Sequence, residues 1–503
     1  MSRLSDLTSA AVRRSWRLGL KLTWMAILLA LAIVLGFALY AVSMLPPLQP
    51  WHTERLHEEF SALHHGDLDF AGYLQREERL FAEFRATVAT WDSKDETWLS
   101  SRFNPASMVS RLADGAPYNR SFRLTLPRPR GQALLIHGLT DSPYSMKALA
   151  GSLHSRGFEV TVLRLPGHGT LPSMMTEMST RDWTAAVRIA ARDVASRTTA
   201  GQPFYIGGYS TGGTLSLQYA LDALEDPTLR RPDRVLLISP AIELTPVAAL
   251  ASIIDFLSVV PVPVLEKVRW QEILPEYDPY KFNSFPVNAS RQVNRATRAL
   301  QKSLVRAREA GRLARMPPVV TWQSVVDSTV GSGGVADLLY ATLNDGGHRL
   351  VLFDINRNQA LTGVLRPQAG TMIDRLTRDT RGYELEIVGN TYPSGLDVSV
   401  HSLASDGTMT IRDAGLSWPG NVVSLGHVAL PFAPDDPVYG FVKGSGHNGI
   451  PSIGSWLLRG ESGTLTLSLS ALTRLRSNPF WSLIDADVAA LVAADLARPV
   501  QQP

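Results

Sequence analysis

Between Ala133 and Pro240, short apolar runs alternate with amphipathic ones, and a glycine-rich turn separates most pairs. No other feature of the chain restricts its fold as strongly. ALLIHG (Ala133–Gly138) is a short buried-strand run, and MKALAGSLHSRG behind it places apolar residues at helical spacing and stops at glycine. FEVTVLRL and the loop PGHGTLP follow, then the helical stretch TRDWTAAVRIAARDVASR, the strand run PFYIGG, a further helix and the strand RVLLISP. Strands that alternate with helices of this length imply a mostly parallel sheet with helices on both faces, joined by right-handed crossovers. SFRLTL (Ser121–Leu126) alternates like a leading strand, and PPVVTWQSVVD and GHRLVLFDI resume the sheet further on.

The alternation is interrupted twice. Ala241 to about Arg315 carries a long apolar helical run, a proline- and aromatic-rich stretch and a basic helix, and reads as a cap over the sheet edge. Arg357 to about Gly420 shows strand-type alternation in YELEIVG and LDVSVHSL, and reads as a second, β-rich insertion. SNPFWSLIDADVAALVAADLA predicts a final helix. The expected organisation is therefore a basic N-terminus with an apolar anchor over 1–50, a helical region over 51–120 and the main domain over 121–503. At 503 residues, 45% hydrophobic and 19% charged, the chain has ample apolar content for a large core. The formal charge of +3 and the lack of basic runs interleaved with aromatics argue against a nucleic-acid partner. Absence of cysteine excludes disulfides, thiolate metal sites and a cysteine nucleophile.

From Leu22 to Trp51 there is no charged residue, and LTWMAILLALAIVLGFALYAVSML is about the length that crosses a bilayer as a helix. Arg3, Arg13, Arg14, Arg17 and Lys21 precede it against the single acid Asp6, whereas HTERLHEEF behind it is acidic on balance. The positive-inside rule then leaves the N-terminus in the cytoplasm. A single-pass anchor in the inner (cytoplasmic) membrane is expected, with the remainder on the extracytoplasmic side, which in a bacterium is the periplasm. The competing reading is a cleaved signal peptide, for which the apolar stretch exceeds the usual ~7–15 residues.

GGYSTGG (Gly207–Gly213) lies between the strand run PFYI and a helix. The G-x-S-x-G pattern in that setting puts Ser210 on a strained turn with its oxygen above the sheet, whereas a plain turn serine would need no such context. An acyl-transfer serine needs two backbone donors for the oxyanion, and Thr211, just after it, supplies one. LLIHGLTDSP is placed to supply the other from Leu139, with His137 supporting that loop rather than titrating. Asp327, at the end of VVTWQSVVD, is the orienting acid, with Asp354 as rival and a turn cap as the bland alternative. The base should follow in the order Ser, Asp, His. His427 in NVVSLGHVALPFAPDD has small neighbours that admit an imidazole, and His447 in GSGHNGIP is the runner-up. His348 reads as a turn residue, and His401 lies inside an insertion strand. Asp435 and Asp436 read as a loop cap. No metal or cofactor is called for.

LLIHGLTDSP, LRLPGHGTLP with Asp182–Trp183 beyond it, GGYSTGG, QSVVD and SLGHVALPFAPDD together resemble the α/β-hydrolase superfamily, specifically its bacterial carboxylesterase and monoacylglycerol lipase group. The resemblance covers about Phe122 to Asn356 and Val422 to the C-terminus. It implies an α/β-hydrolase fold, supports Leu139 and Thr211 as oxyanion donors and His427 as base, and implies that Ala241–Arg315 is a cap shaping an acyl pocket. Two departures stand out. The segment from about Arg357 to Gly420 separates the last strand from the histidine, and soluble relatives lack the anchor.

A membrane-tethered serine hydrolase of acyl or lipid-like esters is the reading expected, with Phe256, Trp270, Tyr277, Tyr280, Phe282 and Phe285 available to line an acyl site. An aminopeptidase or amidase on the same fold would hold a substrate amine with cap acids such as Glu266, Glu272, Glu276 and Asp278. A non-catalytic envelope scaffold is the third possibility, and a complete triad in order argues against it.

Overall fold

The computed structural model describes residues 2–91, 96–243, 266–327, 329–343, 346–358, 371–378, 382–391, 395–447, 449–455 and 473–498. The apolar helix expected at the start of the cap lies outside them.

Twelve strands are needed to follow the chain. They are β1 (Phe122–Leu124), β2 (Gly131–Ile136), β3 (Phe158–Leu163), β4 (Phe204–Tyr209), β5 (Arg234–Ile238), β6 (Trp270–Glu272), β7 (Phe285–Pro286), β8 (Val319–Ser324), β9 (Arg349–Phe353), β10 (Glu384–Asn390), β11 (Asp397–Leu403) and β12 (Met409–Ser417). Ten of them form one sheet in the order β1-β3-β2-β4-β5-β8-β9-β10-β11-β12, and β6 and β7 form a separate ribbon in the cap. Every pairing from β3 to β10 is parallel; β1 at one end and β11 and β12 at the other run antiparallel.

The central strands are apolar at consecutive positions because both of their faces are covered. Leu134, Ile136, Ile206 and Leu237 pack on one side with Trp183, Val187 and Val194 of the Thr180–Arg197 helix and Leu217 of the Thr211–Glu225 helix. Ala133, Leu135, Tyr205 and Leu236 face the other side, against Leu149 and Leu153 of the Lys147–His154 helix and Ile484 and Val488 of the Trp481–Ala497 helix. Buried apolar side chains of this size stabilise by about 1.5–3 kcal/mol each.

The strands expected within 357–420 are present, and they continue the main sheet. Leu385 and Ile387 join one core, and Val388, Val398 and Val400 the other. The pairing of β10 with β9 makes this segment the sheet's far edge rather than a separate appendage. The region ahead of the sheet forms a helix over Phe70–Ala89, capped by Asp69 Oδ1 accepting from the Gly72 N–H at 2.8 Å. That helix packs against Thr180–Arg197.

A 42-residue helix spans Ser2–Ser43. Among the described residues no helix is long and apolar enough to cross a membrane, so the expected span does not emerge from the described part of this helix. Its described side chains from Gly19 to Ile33 are all exposed.

Candidate active site

The turn between β4 and the following helix is set by sterics. Ser210 has φ 54° and ψ −118°, in the left-handed half of the map that costs an L-residue about 1–2 kcal/mol. Its N–H donates to Ile238 O at 3.0 Å, and its carbonyl accepts from Gly213, Thr214 and Ala241. Those bonds hold it in the strained conformation. A Cβ on Gly208 would stand 2.3 Å from the Gly212 carbonyl carbon, and one on Gly212 only 2.0 Å from Ile136 O. Strand and helix therefore meet at van der Waals limit, and the serine is pushed outward. Thr211 is the first residue of the helix, so its N–H has no partner within the helix, and the residue lines the cavity beside Ser210.

Asp327 follows β8 in a loop. Its Oδ1 accepts from the N–H groups of Thr329 (2.9 Å) and Val330 (3.0 Å), and its Oδ2 accepts from Gln323 Nε2 at 3.0 Å and from His427 Nδ1 at 2.7 Å. Burial would raise this carboxyl, but electrostatic attraction to the His427 ring and these hydrogen bonds outweigh it and hold the group below the usual carboxylate range. Donation from Nδ1 leaves Nε2 of His427 as the acceptor. The His427 ring lies 5.0 Å from that of Tyr209, next to the serine.

The 65 or so residues between β9 and the histidine loop leave and return at one point. Asn356 donates its N–H to Val423 O at 2.7 Å and its Nδ2 to Val422 O at 3.0 Å, and Ser324 Oγ donates to Leu425 O at 2.8 Å. The insertion is clamped at its root, so the histidine loop starts beside the ends of β8 and β9 as though no insertion intervened.

Ser210, His427, Leu139 and Thr211 line one cavity of about 330 Å³, together with the apolar Phe282, Phe285, Val293 and Val330 and the charged Asp141, Glu272, Lys281 and Arg474. A larger open groove of about 860 Å³ beside Arg298, Lys302 and Arg306 contains no nucleophile–base pair. The remaining residues singled out in the sequence lie elsewhere. Asp354 pairs with Arg357, His447 Nε2 pairs with Asp114 at 2.7 Å, His348 Nδ1 accepts from the Val319 N–H, and His401 bonds Ser399. Of the acids proposed to hold an amine, Glu272 lines this cavity. Glu276 is fully buried, pushed up to about 7 by burial, and accepts from the Asn283 and Ser284 N–H groups within its own turn. Asp436 accepts from Tyr144 and from two backbone N–H groups, the loop-cap arrangement expected.

Gln323, Asp141, Lys281 and Arg474 also belong to this site, and no motif in the sequence marks any of them as a site residue. Gln323 stands four residues before Asp327, and only the curl of the chain after β8 brings its amide to the carboxylate.

The sheet order and the strand–serine–helix turn are those of the α/β-hydrolase fold. Residues 133–373 match the Alpha/beta hydrolase family, and the chain carries a domain of that family. The thermostable monoacylglycerol lipase of Bacillus sp. (strain H-257) is 38% identical over 87 residues, covering 17% of this chain and 34% of that protein, so the match spans about a third of the relative's length. Among solved structures, the monoacylglycerol lipase of Paleococcus ferrophilus aligns over 46% of this chain and 86% of its own, at 19% identity and TM-score 0.33. A soluble variant of Saccharomyces cerevisiae monoglyceride lipase aligns over 46% and 81%, at 15% identity and TM-score 0.35.

Proposed function

We propose that the chain is a serine carboxylic ester hydrolase acting on acyl or lipid-like esters, with Ser210 as nucleophile, His427 as base and Asp327 as the acid that orients it. The observation that carries this reading is the 2.7 Å His427 Nδ1–Asp327 Oδ2 bond in the wall of the cavity that Ser210 enters. The Ser210 Oγ attacks the ester carbonyl carbon while His427 Nε2 takes its proton, and the oxyanion is received by the N–H groups of Leu139 and Thr211. His427 then protonates the departing alcohol. A water molecule, deprotonated by the same nitrogen, releases the acid and restores Ser210. Apolar walls from Phe282, Phe285 and Val293 suit an acyl chain, and the lipase name of the Bacillus relative agrees.

The same reading places the protein at the inner membrane, anchored by the Ser2–Ser43 helix, with its catalytic domain on the extracytoplasmic side. Support comes from the uncharged run after Leu22, the basic residues ahead of it, and exposed Leu22, Trp24, Leu28, Leu29, Ile33 and Phe37.

Fluorophosphonate labelling, followed by hydrolysis of p-nitrophenyl esters of graded chain length, tests the chemistry. Wild type should label and cleave, and Ser210→Ala should do neither. A wild-type protein that cleaves aminoacyl arylamides but no ester would replace the ester reading with the amidase one. Extraction of the full chain from membranes by alkaline carbonate would refute the anchor.

A further inference from the structure

The loop LRLPGHG and the pair Asp182–Trp183 have no part in the chemistry above, yet both are bonded to the segment ahead of the domain. Arg164 is 1% exposed and is gripped by two carboxylates from that segment. Its Nη2 and Nη1 donate to Glu59 Oε1 (2.9 Å) and Oε2 (3.1 Å), and its Nε donates to Glu77 Oε2 at 3.1 Å. Glu59 Oε2 also accepts from the Gly167 N–H at 2.9 Å, and Arg164 Nη1 donates to His168 O at 2.9 Å. Asp182 Oδ1 accepts from the Ala62 N–H at 2.7 Å, and Trp183 Nε1 donates to Pro166 O at 3.1 Å. The turn at 164–168 is thus fixed from outside the domain.

That turn holds the next element. The Leu165 N–H donates to His137 Nε2 at 2.9 Å, so the proton of this fully buried imidazole is on Nδ1, which donates to Gly138 O at 2.8 Å. The Gly138 carbonyl and the Leu139 N–H belong to the same planar, trans peptide unit. Fixing one therefore aims the other: the Leu139 N–H points away from His137, and Leu139 lines the serine cavity.

We propose that the segment ahead of the domain is part of the catalytic apparatus, with Glu59 as a positioning residue that orients the oxyanion donor through Arg164, Leu165 and His137. The inference rests on the ester hydrolase reading for its activity readout, and on geometry alone for its second readout. Glu59→Gln keeps the shape and leaves Glu77 beside Arg164. In folded E59Q, kcat for a p-nitrophenyl ester should fall about tenfold or more, short of the ~10²–10³ of losing an oxyanion donor outright, while KM stays within about twofold. Hydrogen exchange in peptides covering 137–142 should quicken in the same variant. A purely structural role would lower the melting temperature and leave kcat of the folded enzyme unchanged. Unchanged kcat and unchanged exchange in folded E59Q would overturn the proposal, as would an activity loss that only tracks the folded fraction. If E59Q does not fold, Glu59→Asp keeps the charge and shortens the reach, with the same two outcomes. A wild-type protein without esterase activity would overturn the ester reading, and the exchange comparison would still decide this one.

Discussion

Replacing Asp327 by Asn should separate stability from catalysis. The carboxylate accepts four hydrogen bonds, two on each oxygen. Thr329 and Val330 donate from fixed backbone, so the Asn carbonyl takes the Oδ1 position and its NH₂ the Oδ2 position. The NH₂ then faces two former donors, Gln323 Nε2 and His427 Nδ1. Gln323 can respond, because its Oε1 is buried with no hydrogen-bond partner, and rotation of the amide turns that oxygen to the new donor. His427 responds by moving its proton to Nε2, which removes the acceptor nitrogen that the proposed mechanism assigns to deprotonating Ser210. The expected loss of stability is that of about one hydrogen bond, roughly 0.5–1.5 kcal/mol. The expected fall in kcat is about 10³–10⁴-fold, the scale of a histidine locked in the wrong tautomer. Urea unfolding midpoints and single-turnover acylation with a p-nitrophenyl ester measure the two effects. A folded D327N enzyme with more than a tenth of wild-type acylation rate would refute this account of Asp327.

Gly212→Ala should be among the costliest single-methyl additions, because the new Cβ meets the backbone oxygens of Ile136 and His137 at 2.0 and 2.6 Å. A loss of about 1–3 kcal/mol with reduced labelling of Ser210 is expected, whereas Gly151→Ala, with open space around it, should gain about 0.5–1 kcal/mol; thermal melts of the pair decide it. Burial lowers His168 and His348 to about 4 and His52 to about 3, so all three stay neutral in the fold and protonate more readily once unfolded. Their contribution is complete above the unfolded value of about 6.5 and drains away as pH falls towards 4, roughly 3 kcal/mol for His168 alone. Melting temperature should therefore drop between pH 6.5 and 4.5, and a flat profile there would contradict the burial argument. His447→Ala should leave ester hydrolysis near wild type, since its partner is Asp114, and a loss beyond tenfold would return His447 to the site.

What the sequence disclosed was whatever is enforced locally. Strand and helix alternation was readable because both sheet faces are covered, which makes β2, β4 and β5 apolar at consecutive positions. The serine turn was readable because its geometry forbids side chains at Gly208 and Gly212. The histidine was harder: four candidates followed Asp327, and the clamp from Asn356 to Val422 and Val423 that returns His427 to the sheet has no local signature. The Glu59–Arg164 pair was not readable at all, since it spans 105 residues and each partner in isolation reads as an ordinary surface charge.

The chain carries material at the far edge of the sheet and ahead of the sheet in sequence, and the two bear differently on the site. The strands over 384–417 lengthen the sheet beyond β9 and end in β12, which leaves Met409 and Ile411 exposed. Their excursion is closed at its root by Asn356, whose bonds to Val422 and Val423 fix where the histidine loop begins. Closing a long loop costs little more than closing a short one, which makes such an addition inexpensive for a site whose loop is pinned elsewhere. The segment ahead of the sheet differs in kind, because it supplies charges that the domain's interior requires. Without Glu59 and Glu77, Arg164 would be a buried cation with no counter-charge, a state that costs about 3–5 kcal/mol. The same segment is tied to the cap, where His52 bonds Ser284 at 2.9 Å and packs edge-on against Trp270, while Lys267 Nζ donates to Leu45 O just beyond the Ser2–Ser43 helix. The segment behind that helix therefore touches both the cap and, through Glu59 and Arg164, the turn that holds His137.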